Sequence, residues 1–176
     1  MKNASDRQVS VRWVVMGVSG CGKSTVGREL AAAHGCDYVE GDAFHRPASV
    51  AKMAAGVPLL DDDRAGWLGA LQHQIGCERE RGISLVLACS ALKRAYRDLL
   101  READPALRFA HLDGPRELVA ARLMARTGHF MPALLLDSQL ALLEPLGADE
   151  PGLVLDLRQT PAGLVAQILL SEPGPA

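Results

Sequence analysis

The sequence predicts an α/β protein of one domain: a five-stranded parallel sheet between two layers of helices, with a helical lid at one edge. Three observations carry that reading. Short apolar runs alternate with longer stretches of helical period, the pattern that right-handed crossovers turn into an open parallel sheet. The runs at 11–16 and 83–89 are almost wholly apolar, as strands covered on both faces are, and 107–112 and 153–157 read as the fourth and fifth strands. Between the first run and the first helical stretch stands Gly17-Val18-Ser19-Gly20-Cys21-Gly22-Lys23-Ser24, a glycine-rich strand-to-helix turn with the spacing of a phosphate-binding loop. Together these specify the three-layer α/β/α form of P-loop NTPases.

The elements follow in order. After the strand at 11–16, apolar positions at Val26, Leu30 and Ala33 place a helix over 23–34, stopped by Gly35. A second strand over 38–42 carries its polar end, Glu40 and Asp42, to the edge where the loop emerges. Pro47 opens a short helix that runs to Ala55, and Gly56-Val57-Pro58 breaks it. Asp61-Asp62-Asp63 caps a helix that turns Trp67, Leu68, Leu71 and Ile75 inward and runs to about Gly82. After the third strand, Ser90 is placed to cap a helix with Leu92, Tyr96, Leu99 and Ala103 on its inner face. Lys93, Arg94 and Arg97 in its first turns oppose the helix dipole, which hints at a nearby anion.

Beyond the fourth strand, Gly114-Pro115 starts a helix in which Arg122 and Arg126 share a face. The break at Gly128-His129-Phe130-Met131-Pro132, with helix resuming over 133–143, reads as a lid spanning about 122–137. Thr160-Pro161 caps the last helix, and 1–10 and 171–176 read as flexible tails of the 1–176 domain.

The loop's chemistry follows from its residue types. Glycines at 17, 20 and 22 let successive amides, including those of Ser19, Cys21 and Thr25, turn toward a polyphosphate. Lys23 reaches the β and γ phosphates, and the Ser24 hydroxyl ligates the bridging Mg²⁺. ATP and Mg²⁺ are therefore the expected cofactors. The chain has 176 residues, 19 basic against 21 acidic, and a formal net charge of -2, which offers no general attraction to nucleic acid or anionic membrane. Cys21, Cys36, Cys77 and Cys89 lack the close pairing of zinc or redox motifs and read as reduced and packed. With no apolar segment of signal-peptide or membrane-spanning type, the expected setting is the cytoplasm.

A phosphate-binding loop alone does not separate kinases from GTPases or motor ATPases. The guanine-reading Asn-Lys-x-Asp segment is missing, and the third strand ends in Cys89-Ser90 without the usual metal-orienting Asp. Glu40 or Asp42 could take that role through a metal-bound water. Small size, two arginines at the lid and the acidic end of strand two suit a small-molecule kinase.

A set of segments then resembles the gluconokinase family. They are 17–25, Gly41-Asp42 with His45, Lys52-Met53, Asp61-Asp62-Asp63-Arg64 with Trp67-Leu68, 89–93 with Tyr96-Arg97-Asp98, and 128–132 with Ser138-Gln139. Ser49 and Gly66 depart from the family's usual Asn and Pro. The resemblance implies ATP-dependent phosphorylation of D-gluconate to 6-phosphogluconate in gluconate utilisation, on a fold like that of shikimate and adenylate kinases, commonly as a homodimer.

On that reading Asp42 accepts the proton of the C6 hydroxyl. Arg64 is preferred for the acid end because its planar fork matches a carboxylate, with His45, Lys52 and Arg97 as further candidates. The resembling segments add Ser90, Lys93 and Gln139 to the substrate residues. Arg122 and Arg126 would neutralise the transferring phosphoryl group. His129 is either a substrate contact or lid packing, while His34, His73 and His111 are assigned to helix ends and packing, and Trp67 to the core. The rivals are a kinase for shikimate or a nucleoside monophosphate, and a nucleotide-binding regulator that transfers nothing.

Overall fold

The structure is a computed structural model, and it describes residues 10–125 and 133–172. Residues 126–132 of the expected lid, with Arg126 and His129, and the outer parts of both tails lie outside the described residues. The strands are β1 (Arg12–Met16), β2 (Asp37–Glu40), β3 (Leu85–Ala88), β4 (Arg108–Asp113) and β5 (Gly152–Asp156). They form one sheet in the order β2-β3-β1-β4-β5, with every neighbouring pair parallel. Because β1 lies between β3 and β4, the chain winds one way from it and then the other, and the crevice at its C-terminal end is where such sheets bind ligands.

Seven helices complete the described residues: α1 (Lys23–His34), α2 (Pro47–Ala54), α3 (Asp61–Glu80), α4 (Arg94–Ala103), α5 (Arg116–Met124), α6 (Ala133–Leu142) and α7 (Pro161–Leu170). β1 is buried at all five positions, and its side chains divide between the two faces of the sheet. Trp13 and Val15 join Leu30, Leu164 and Ile168 on the α1–α7 side, while Val14 and Met16 join Trp67, Leu71 and Leu100 on the α3–α4 side. This alternation is why the continuous apolar stretch from Trp13 to Met16 makes a strand here. α1 ends at Gly35 in the left-handed conformation, and the Thr160 hydroxyl accepts the Gly163 N–H at 3.2 Å to cap α7, both as expected.

Three local expectations are corrected. β2 stops at Glu40, and Asp42 lies in a single 3-10 turn over Gly41–Phe44, because Gly41 is pressed against the Ala88 carbonyl and any side chain there would collide with it. The acidic run does cap α3 as expected, from within its first turn, where Asp63 reaches back to accept the Leu60 N–H at 3.0 Å. Ser90 makes no helix cap, since α4 starts only at Arg94, whose N–H is taken by the Glu144 carboxylate at 2.5 Å. Of the four free cysteines, Cys36 and Cys77 are only partly buried.

The cations at the start of α4 find their anions within the protein. Lys93 pairs with Asp61 at 2.8 Å, Arg94 with Asp149 at 2.6 Å, and Arg97 with Glu150 at 2.6 Å. The charge misfit read from the sequence is therefore compensated by the fold itself and needs no ligand.

His111, on β4, is 3% exposed and neither ring nitrogen has a partner. Burial holds its pKa below the usual histidine value; Asp113 opposes this and Arg97 adds to it. The fold thus keeps a neutral ring, while the unfolded chain takes up a proton below about pH 6.5, so stability falls with pH from there until the folded pKa is passed. Burial shifts His45 in the same direction. The expected result is that His111→Leu flattens part of the loss between about pH 6.5 and pH 5, measured by urea titrations at stepped pH.

Candidate functional site

The loop after β1 adopts the backbone that its glycines permit, with φ of 139°, 84° and 100° at Gly17, Gly20 and Gly22. Lys23 closes it by donating to the Val18 carbonyl at 3.1 Å, and the Gly17 N–H is taken up by the Ser90 carbonyl at 3.3 Å. Gly17 therefore shapes the loop from behind, while Ser19, Gly20, Gly22, Lys23, Ser24 and Thr25 line an open cleft of about 360 Å³. Arg28, Glu40 and Asp42 face the same cleft. Cys21, also expected at the nucleotide, is 1% exposed and is not part of the cleft lining, and burial raises the pKa of its thiol.

Beside this cleft lies a narrower hollow of about 30 Å³, room for little more than one water. Its walls include His45, Arg64, Ser90 and Gln139 among the expected substrate residues, with Met53 and Leu59 from the α2–α3 region and Leu135 from α6. Ser19, Lys23 and Asp42 belong to both spaces. A phosphate carrier in the cleft and an acceptor in the hollow would therefore meet at Lys23 and Asp42.

Asp42 is set there by its neighbours. The Trp67 indole N–H donates to the Gly41 carbonyl at 2.7 Å, and His45 stacks on the same indole with ring centroids 4.4 Å apart. Trp67 is core as expected, but it also pins the turn that carries the acid. Burial keeps His45 below its usual pKa, with Asp42 opposing and Arg64 adding to the shift, and its Nδ1 has no partner. A neutral imidazole of this kind can donate or accept at a hydroxyl. Arg64, in the first turns of α3, is 6% exposed with Nε unpartnered, so a buried cation with unused donor capacity faces the hollow. Gln139 of α6 accepts the Ser19 N–H at 2.7 Å and donates to the Ser19 hydroxyl at 3.3 Å, tying that helix to the loop.

Other candidates are not brought to either space. Arg97 is fully buried; two of its bonds go to Glu150, at 2.6 and 2.9 Å, and the rest to the carbonyls of Ala91, Leu92, Glu144 and Pro145. It has no donor left for a substrate, and instead holds the 90–93 loop from behind, including Ala91 at a φ of 42°. Lys52 pairs with Asp63 at 2.5 Å and Lys93 with Asp61, both on the surface and outside the lining. Arg122 donates to the Leu157 carbonyl at 2.8 Å and the Cys21 carbonyl at 3.5 Å, so it braces the loop rather than lining the cleft. Glu40 faces the cleft as a metal-water partner should, whereas Arg28 was not expected there from the sequence. Arg28 could have been found from its place four residues after Ser24 on one face of α1.

No cluster of three or more His, Cys, Asp or Glu side chains able to hold a metal occurs among the described residues. One hydroxyl at Ser24 beside the carboxylates Glu40 and Asp42 does suit Mg²⁺, which keeps several waters and takes its remaining ligands from nucleotide phosphates.

The sheet order, the loop and an acid poised across from its lysine define a small P-loop kinase. A family model described as an AAA domain matches residues 13–146. A gluconokinase of Gluconobacter oxydans (strain 621H) is 52% identical, over 78% of each chain. The thermoresistant gluconokinase of Escherichia coli (strain K12) is 44% identical over 89% of this chain and 90% of its own. The crystal structure of a gluconokinase from Sinorhizobium meliloti 1021 superposes with a TM-score of 0.84 at 43% identity, covering 93% of this chain and 91% of that one. The chain belongs to the gluconokinase family and is an ATP-dependent phosphotransferase.

Proposed function

We propose that the chain transfers the γ-phosphoryl group of Mg²⁺-bound ATP to the C6 hydroxyl of D-gluconate, giving 6-phospho-D-gluconate and ADP. The observation that carries this reading is the wall shared by the two spaces, where Lys23 and Asp42 stand between the phosphate loop and the hollow. Bound at Ser24, Mg²⁺ would neutralise charge on the β and γ phosphates. Glu40 faces the nucleotide cleft and not the hollow, so it serves the metal's water shell and leaves Asp42 to the acceptor.

Asp42 accepts the hydroxyl proton as the new O–P bond forms and the bond from the γ phosphorus to the bridging oxygen breaks. The loop amides and Lys23 hold the phosphates. Arg64 binds the carboxylate of the acid, while His45, Ser90 and Gln139 meet its hydroxyls. Arg126 and His129, outside the described residues, remain as phosphoryl and substrate contacts. A space of about 30 Å³ cannot take a six-carbon acid, so binding parts the walls supplied by Leu59 and by α6. A homodimer in the cytoplasm belongs to the same reading. No helix among the described residues is long and apolar enough to cross a membrane.

A panel coupling ADP release to gluconate, shikimate and AMP tests the assignment; turnover with either of the last two and none with gluconate overturns it. No release with any acceptor, despite nucleotide binding, favours the regulator. Arg64→Leu is expected to raise the KM for gluconate about tenfold to a hundredfold, as loss of charged hydrogen bonds predicts. The KM for ATP should stay within a few-fold, and Arg64→Lys should recover part of the loss. Steady-state kinetics on both substrates check this.

A further inference from the structure

β2 and α1 face each other beside the loop. Tyr38 and Glu40, two apart on a strand, point to the same side. Ser24, Gly27 and Arg28 share one face of α1 by their spacing of three and four. The Tyr38 hydroxyl donates to Glu40 Oε2 at 2.7 Å, and the Ser24 side chain neighbours the same phenol. Arg28 spans the pair, its guanidinium 5.0 Å over the Tyr38 ring and 3.8 Å from Glu40 Oε2.

Gly27 makes this contact possible, because a Cβ there would lie 2.7 Å from the Tyr38 ring. A carboxylate side chain with several rotatable bonds is thereby held by a rigid ring that is itself wedged against the helix carrying Ser24. Burial, then the bond to Glu40, pushes the phenol's pKa upward, so it remains a donor through the physiological range.

We propose that Tyr38 is a positioning residue that orients the Glu40 carboxylate toward Ser24 for the water shell of the nucleotide-bound divalent cation. The proposal rests on the Mg²⁺-nucleotide reading of the cleft and adds to it the group that fixes the metal's outer partner. Such partners orient ligands without touching the metal, and their loss typically costs about tenfold to a hundredfold in metal affinity.

The test uses the full chain saturated with a non-hydrolysable ATP analogue, with Mn²⁺ titrated in and free Mn²⁺ read by electron paramagnetic resonance. Tyr38→Phe keeps the ring and removes only the donor. It is expected to weaken Mn²⁺ binding in the ternary complex about tenfold, while affinity for the analogue in EDTA, read by calorimetry, stays within about twofold. Glu40→Gln is expected to weaken Mn²⁺ similarly, and adding Tyr38→Phe to it should cost little more, because the tyrosine acts through that carboxylate.

An unchanged Mn²⁺ affinity in Tyr38→Phe overturns the inference alone, as does an undiminished effect on the Glu40→Gln background. A wild-type chain that binds the analogue but takes up no Mn²⁺ overturns the Mg²⁺-nucleotide reading and this inference with it.

Discussion

Asp42→Asn is expected to lower kcat for gluconate phosphorylation by roughly 10² to 10⁴, the contribution usual for a positioned base. The substitution keeps the size of the side chain and its place on the turn that Trp67 pins, so Mg-ATP affinity should change by no more than a few-fold. The loss should therefore fall on kcat, with little change in the KM for ATP, as when an interaction made in the transition state is removed. Calorimetry with the non-hydrolysable analogue, beside steady-state kinetics, separates the two quantities. Unchanged turnover would remove Asp42 from the proton transfer and leave it a turn residue.

Glu150→Ala is expected to destabilise the fold by about 3–5 kcal/mol, a large share of the stability of a typical domain. The reason is the fully buried Arg97 guanidinium, which loses both bonds to its carboxylate partner and has no route to water. For a chain of this size, that corresponds to a melting point lower by roughly 10 °C. Arg97 also donates to the carbonyls of Ala91 and Leu92, and the adjoining Ser90 carbonyl closes the phosphate loop at Gly17. Loosening this support should lower activity before the chain melts. Urea titration against wild type checks the stability change, and a loss under about 1 kcal/mol would show that the buried pair contributes little.

What could be read from the sequence was what short-range rules decide. The limits of α1 follow from the loop at one end and Gly35 at the other, and those of α7 from the Thr160-Pro161 cap and the periodicity after it. The parallel sheet followed from apolar runs buried on both faces. The turn at Gly41 was not legible, because what ends β2 there is the approach of the Ala88 carbonyl from a neighbouring strand 47 positions away. Arg97 was misread for the same kind of reason: its partner Glu150 is 53 residues distant, and a cation near a helix start carries no mark of where its anion comes from. Lys52 and Lys93 share residue type with true anion ligands, and only the positions of Asp63 and Asp61 separate them from the hollow. Arg64 was legible as a candidate from its guanidinium, whereas its burial without a full set of partners emerges only when α3 packs against α4 and the turn that carries Asp42.

The most direct measurement is a crystal structure of the chain with a non-hydrolysable ATP analogue, Mg²⁺ and D-gluconate. The account predicts the Asp42 carboxylate about 2.6–3.2 Å from the C6 hydroxyl, Arg64 on the sugar acid's carboxylate, and the γ phosphate at Lys23. An Asp42 side chain turned to bulk solvent, with another group at the acceptor oxygen, would contradict it.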